Sequence, residues 1–550
     1  MSHTIRILNG HVWTGDRARP RAEAIAIRDG LIAAAGTAAD IRRAMPDAED
    51  LDARGGLVVP GFIDAHLHLL AGGFHLTSVQ LRPVTSREAF VATLREFAAA
   101  RPRGTWITGG DWDHESWGGE LPTRAWIDDA TTDHPVWLTR LDSHMALANT
   151  TALRLAGISA TTPDVAGGAI VRDAAGVPTG VLKDNAMRLV ERAVPPPSPA
   201  DEDAALDAAM TYVTAQGVTS IHHMGSLPPG ETWHELDVFC RARDRGALRV
   251  RIHSTVPLET WSRLATLVGS GTFGGADGRG DDWVRIGSLK SFVDGSLGAR
   301  TAAFHAAYAD RPDDCGLLVN DPDQMRAWMI AADAAGLQLA THAIGDRANT
   351  VLLDLLTEIA RVNGARDRRF RVEHAQHLLA SDVPRFGALG AIVSMQPYHA
   401  VDDGRWAERA IGGARANLSY AWRSLSTAGA RLAFGSDWFV APATPLEGID
   451  AAVNRCTLDG RHPDGWIPRE RIGLDQALHA YTTGAAHAVF EEDRKGRLAP
   501  GLLADITVID RDLFANPTEE IARAAIAAVI VGGKVVYQMP ASARASVGNT

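Results

Sequence analysis

Two histidines two residues apart, His66 and His68, offer the first chemistry in this chain. They end the run Val59-Pro-Gly-Phe-Ile-Asp-Ala-His-Leu-His68, which reads as a strand. Side chains alternate faces along a strand, so both imidazoles share one face. Together they can hold one divalent cation, although a His-x-His pair alone is weak evidence for one. Four more polar residues sit in or end apolar runs. Lys290 lies in Ile-Gly-Ser-Leu-Lys-Ser-Phe, His342 ends Leu-Gln-Leu-Ala-Thr-His, His374 ends Phe-Arg-Val-Glu-His and Asp437 ends Leu-Ala-Phe-Gly-Ser-Asp. Four imidazoles, a carboxylate and a lysine converging without a cation would be costly to desolvate. One or two divalent ions satisfy them. Zn²⁺ suits imidazole and carboxylate ligands, with Mn²⁺, Fe²⁺ and Co²⁺ as alternatives.

Other residues carry two readings each. Lys290 could instead pair with Asp294 or Asp437. His377 rivals His374, which is preferred because it lies within the apolar run. His222 and His223 could bind substrate or fill a barrel mouth. Asp64 shares the His66 face and could orient a ligand histidine or cap a turn. Trp112, Trp117, Trp438 and Tyr398 would favour an apolar or aryl-bearing substrate, against ordinary core packing. His144 could contact substrate or an oxyanion, and Arg300 a substrate carboxylate, with a structural ion pair as its other role.

The elements that must position these residues alternate along the middle of the chain. Strand-like runs occur at Val58–His68, Val218–His222, Leu248–Thr255, Val284–Val293, Leu337–His342, Phe370–His374, Ala391–Gln396 and Arg431–Asp437. Eight strands alternating with helical patterns predict an α/β fold, a parallel (β/α)₈ barrel of the TIM type. Its site would lie at the C-terminal strand ends. The barrel is expected over 58–69 and 206–490. Residues 70–205 are too long for one βα connection and read as an insertion after the first strand, a candidate lid. Both ends of the chain are rich in short β-like runs and turn signals, so 1–57 and 491–550 are expected to form one composite β-sandwich domain.

Bulk properties narrow the function. The 550 residues are 46% hydrophobic and 22% charged, ordinary for a globular protein. A net charge of −11 argues against nucleic acid or an anionic membrane as partner. No apolar run approaches the roughly 18–20 residues of a membrane span, and Met1–Gly10 does not read as a secretory signal. A cytoplasmic location is the expectation. Cys240, Cys315 and Cys456 are far apart and suggest reduced thiols rather than disulfides or a thiolate metal site. No Gly-x-Gly-x-x-Gly follows a strand candidate, and GxxxxGK[ST] and the GxSxG elbow are absent. The partner expected is a small molecule, with a homo-oligomer left open.

Taken in order, several stretches resemble the amidohydrolase superfamily, most closely its family 3 branch, which includes N-substituted formamide deformylases. They are Val59–His68, Lys290-Ser-Phe-Val-Asp-Gly-Ser-Leu-Gly-Ala-Arg-Thr301, Thr341-His-Ala-Ile-Gly-Asp346, Val372-Glu-His-Ala-Gln376, Phe434-Gly-Ser-Asp437 and Gly501-Leu-Leu-Ala-Asp-Ile506. Gly109–Trp117 and Arg140–Met145 in the insertion look similar too. The resemblance implies that His66 and His68 ligate a buried metal and that His342 and His374 ligate a more exposed one. It implies that Lys290, carbamylated by CO₂, bridges them, and that Asp437 touches the metal as general base. The activity implied is metal-dependent hydrolysis of a non-peptide C–N bond, in a linear amide or N-substituted formamide. Cyclic-amide or ester hydrolysis, deamination and a non-enzymatic binding role are the alternatives.

Overall fold

The computed structural model describes residues 4–225 and 232–540. Residues 1–3 and 541–550 of the expected composite domain lie outside the described residues.

Eight parallel strands form one sheet in chain order: β1 (Phe62–Leu67), β2 (Val218–His223), β3 (Arg251–Pro257), β4 (Val284–Phe292), β5 (Gln338–Ala343), β6 (Arg371–His374), β7 (Ile392–Met395) and β8 (Arg431–Phe434). These strands are almost wholly buried, as expected of a parallel sheet covered on both faces. The ring closes just beyond β8, where Asp437 N donates to His66 O and His68 N to Trp438 O, each at 2.7 Å. Closure therefore brings two expected site positions into one backbone ladder. The seam needs a glycine: a Cβ on Gly435 would lie 2.4 Å from His66 N. Gly435→Ala is expected to destabilise the barrel by about 1–3 kcal/mol through overpacking. An unchanged thermal midpoint would show that the seam can yield.

The helices between strands pack on the outside. Helix Pro199–Ala215 starts cleanly because Ser198 caps it and Asp201 completes a capping box, with proline at the first turn. Its buried residues Leu206, Ala209, Met210 and Val213 recur at helical spacing and join the main core.

One strand expectation needs correction. Val58–His68 is not a single barrel strand. Leu57–Pro60 pairs antiparallel with Ile506–Ile509 and parallel with His11–Val12 in an outer sheet, and the barrel strand begins at Phe62. Gly61 makes the turnover, pressed against β2 so closely that a Cβ would lie 2.2 Å from Thr219 Oγ1. That six-stranded outer sheet draws on both chain ends, and a four-stranded sheet from residues 4–52 lies against it over a shared core including Ile7, Ile25, Val58, Ile506 and Ile530.

Residues 79–184 form a separate six-stranded mixed sheet. The three cysteines are free. Among the described residues, no helix is long and apolar enough to cross a membrane.

Candidate metal centre and active-site cavity

The C-terminal ends of β1, β4, β5, β6 and the segment after β8 deliver His66, His68, Lys290, His342, His374 and Asp437 to one cavity. Each histidine is held by its other contacts. His66 Nδ1 lies 2.6 Å from Glu373 Oε2, and Glu373 is gripped by Arg371 Nε at 2.7 Å. Burial opposes the Glu373 charge, but Arg371 and His66 outweigh it and hold the carboxyl well below its usual range. His66 thus presents Nε2 to the cavity. His68 Nδ1 lies 2.5 Å from Gly225 O, and His374 Nδ1 lies 2.9 Å from Gln396 Oε1. His342 Nε2 lies 3.1 Å from Gly295 O.

The rings approach closely, at 4.7 Å between His66 and His374 centroids and 4.5 Å between His342 and His374. Asp437 sits among them. Its Oδ1 lies 3.2 Å from His68 Nε2 and 3.5 Å from His66 Nε2, and its Oδ2 lies 4.0 Å from His374 Nδ1. Burial drives the His66 imidazolium down to about 4, and pushes His342 and His374 well below their usual range. Neutral imidazoles keep a lone pair. Asp437 is opposed by burial but held well below the ordinary carboxylate range by His66, His68 and His374.

This donor set fits a cation. One ligand atom each from His66, His374 and Asp437 lies within 4.8 Å of the other two. His66 Nε2 and Asp437 Oδ1 are buried and have no hydrogen-bond partner. Two such orphaned atoms side by side are expensive unless a cation satisfies both. Asp437 and His374 also hold positive φ angles, 60° and 72°, strain of the kind that clusters at functional sites. Lys290 is buried, and its ammonium is pulled down to about 8 by that burial. Among the described residues no carboxylate lies within 4.0 Å of its Nζ, so neither Asp294 nor Asp437 pairs with it; Asp294 accepts from Ala303, Ile344 and Gly345 N instead.

The amidohydrolase profile matches residues 49–537. The chain belongs to the amidohydrolase family. This amidohydrolase is 40% identical to Protein LONG AFTER FAR-RED 3 of Arabidopsis thaliana, over 96% of this chain and 91% of that one. It is 29% identical to the N-substituted formamide deformylase of Arthrobacter pascens, over 98% of this chain and 99% of that one. Its fold is similar to the crystal structure of an uncharacterized metal-dependent hydrolase from Pyrococcus furiosus, with a TM-score of 0.72 and 30% identity over 92% of this chain and 99% of that one. Family and structural relatives together place it among the hydrolases.

The substrate-contact expectations divide. His144 of the amidohydrolase lines the cavity, 5.8 Å ring to ring from His342, with its Nδ1 2.7 Å from Asp184 Oδ1. Burial disfavours the His144 cation, but Asp184 outweighs it and raises the imidazolium above its usual range. Trp112, Trp117, Trp438, Tyr398, His223 and Arg300 do not line this cavity. Trp112 is core of the insertion, its Nε1 donating to Leu138 O at 2.8 Å. Trp438 stacks on Tyr212 at 4.9 Å and presses on Gly72. His223 points outward, with Nδ1 accepting from Leu69 N and Nε2 3.0 Å from Glu235. Arg300 is spent on Asp310 at 2.6 Å and on Leu297 O. His377 is turned away to Ser419, His222 takes Arg371 inside the barrel, and Asp64 accepts from Ser436 and His66 N.

The roof is largely polar, and Phe292 and Trp406 add aromatic lining to the cavity. Arg140 of the insertion bridges Asp113 at 2.7 Å and Asp142 at 2.8 Å. Asp402, Asp403 and His399, on helix Pro397–Asp403 after β7, line the same cavity. Sequence reasoning passed over Arg140, Asp142 and His399. The Arg140–Met145 stretch was a signal, since buried charges cluster there; His399 carried none beyond its place just after a barrel strand.

Proposed function

We propose that this amidohydrolase hydrolyses a carbon–nitrogen bond in a linear amide or N-substituted formamide, with His66, His68, His342, His374 and Asp437 holding one or two divalent cations. The observation that carries the reading is the pair of buried, partnerless atoms, His66 Nε2 and Asp437 Oδ1. The Arthrobacter pascens relative supports the bond type by its name. A bound divalent cation would supply Lewis acidity and lower the pKa of water toward 7. The remaining work falls to the chain. Asp437 takes a proton from the attacking water and returns it to the departing nitrogen. His144, whose protonated form Asp184 favours, lies 5.8 Å ring to ring from His342 and donates to the oxygen that gains charge. Glu373 holds the His66 tautomer that leaves Nε2 free.

Lys290 cannot ligate a cation as an ammonium. Its uncharged amine adding to CO₂ gives a carbamate and releases one proton. That anionic oxygen pair would bridge two cations. Elemental analysis of protein purified without chelator tests this. Wild type should carry one or two equivalents of zinc or a similar ion, and Lys290→Ala about half or less, a loss of affinity in the roughly 10–100-fold range expected when metal support is removed. A wild-type protein that stays metal-free after reconstitution with bicarbonate would sink the reading.

A further inference from the structure

A second cavity meets the first at His144, Lys290 and Phe292. It lies between the insertion strand Pro178–Asp184 and the ends of β3 and β4, and its apolar wall is Met187, Leu258, Phe292, Val319, Met325 and Trp328.

Its polar atoms are unusual. The Asp184 side chain is only 4% exposed. Oδ1 engages His144, while Oδ2 is buried with no hydrogen-bond partner. Ser143 Oγ, on the same wall, is also buried and partnerless. Asn185 and Asn320 spend their amide nitrogens on the carbonyls of Ala166 and Phe292, so what they offer a ligand is oxygen. Glu259 adds a carboxylate at the rim, Arg188 there is exposed to solvent, and Lys290 lies where the two cavities meet. Ser143 and Asp184 both hold positive φ angles, 57° and 46°. Strain of that kind in non-glycine residues persists where surroundings over-determine it, and it clusters at ligand clamps. A buried carboxylate oxygen without a donor is a vacancy for one.

We propose that this second cavity is the subsite for the amine half of the substrate: an alkyl or aryl group on the apolar wall, with its N–H donating to Asp184 Oδ2. The proposal rests on the C–N hydrolase reading. A linear amide has groups on both sides of the scissile bond, and two cavities meet at the metal side. Asp184 then serves both halves of the reaction, holding His144 through one oxygen and the amine through the other.

Benzylamine binding to the full-length, metal-loaded protein tests this without turnover, by calorimetry. Wild type should bind it with a Kd at or below about 1 mM. Val319→Trp, which fills the cavity from a half-buried position, should weaken binding by about tenfold or more. Glu259→Lys lies at an exposed position that leaves folding alone, and should also weaken it. Unchanged affinity in both variants overturns the subsite, as does no binding by wild type. Phenylacetate binding more tightly than benzylamine, and tightening further in Glu259→Lys, would also overturn it. Failure of the hydrolase reading looks different: benzylamine binding would persist while no amide in a broad screen is turned over.

Discussion

Asp437→Asn is expected to keep its fold and its metal and to lose about 10²–10⁴-fold in kcat. The replacement is isosteric. Backbone bonds from Asp437 N to His66 O and from Val440 N to Asp437 O do not involve the side chain and should survive. The amide oxygen still faces His68 Nε2, which lies 3.2 Å from Oδ1 in the wild type. What disappears is a carboxylate able to accept a proton. In the wild type the imidazoles keep Asp437 ionised well below the ordinary carboxylate range. The base form is therefore present throughout the neutral range and lost only as pH falls through the lowered value. The measurement is kcat on the best formamide or amide found, together with metal content. Near wild-type kcat with full metal would falsify the assignment of Asp437 as the proton carrier.

The barrel was legible because parallel strands covered on both faces become continuous apolar runs, and each ends where its polar residue enters the mouth. β2 to β8 follow those runs to within a few residues. The gathering of His66, His68, Lys290, His342, His374 and Asp437 at one cavity was legible for the same reason. Val58–His68 misled because an apolar run does not say which sheet it joins, and Gly61 passes the chain from the outer sheet to the barrel. His223 misled although the alternation of strand side chains bears on it. His222 and His223 are successive and must face opposite ways, so one turns into the barrel to Arg371 and the other outward to Glu235. The tryptophans were illegible in a different sense. Trp112 and Trp438 satisfy apolar packing needs whether or not a ligand is near, and only the surrounding walls decide. The roof depends on contacts between residues far apart in sequence, such as Asp142 with Ser296 at 2.5 Å, which no local pattern encodes.

Arg371→Met should be the most damaging single change to stability, about 3–5 kcal/mol, because it strands a buried charge. Arg371 is 1% exposed and Glu373 fully buried. The guanidinium reaches Glu373 at 2.7 Å, His222 Nδ1 at 3.0 Å, Ala65 O at 2.7 Å and Ser394 Oγ at 3.2 Å, tying β1, β2, β6 and β7 together across the barrel interior. Removing it leaves Glu373 with His66 Nδ1 as its remaining hydrogen-bond partner, in a place where burial favours the neutral acid. A protonated Glu373 can no longer accept from His66 Nδ1 through an ionised carboxylate, so the loss should also reach the metal centre. The double variant Arg371→Met/Glu373→Gln separates the two effects. Glutamine carries no charge to strand, and its side-chain oxygen can still accept from His66. The double variant should therefore be more stable to chemical denaturation than Arg371→Met alone, a non-additivity expected of contacting residues. Equal or lower stability in the double variant would mean that Arg371 acts through its bonds to Ala65, His222 and Ser394, and not by neutralising Glu373.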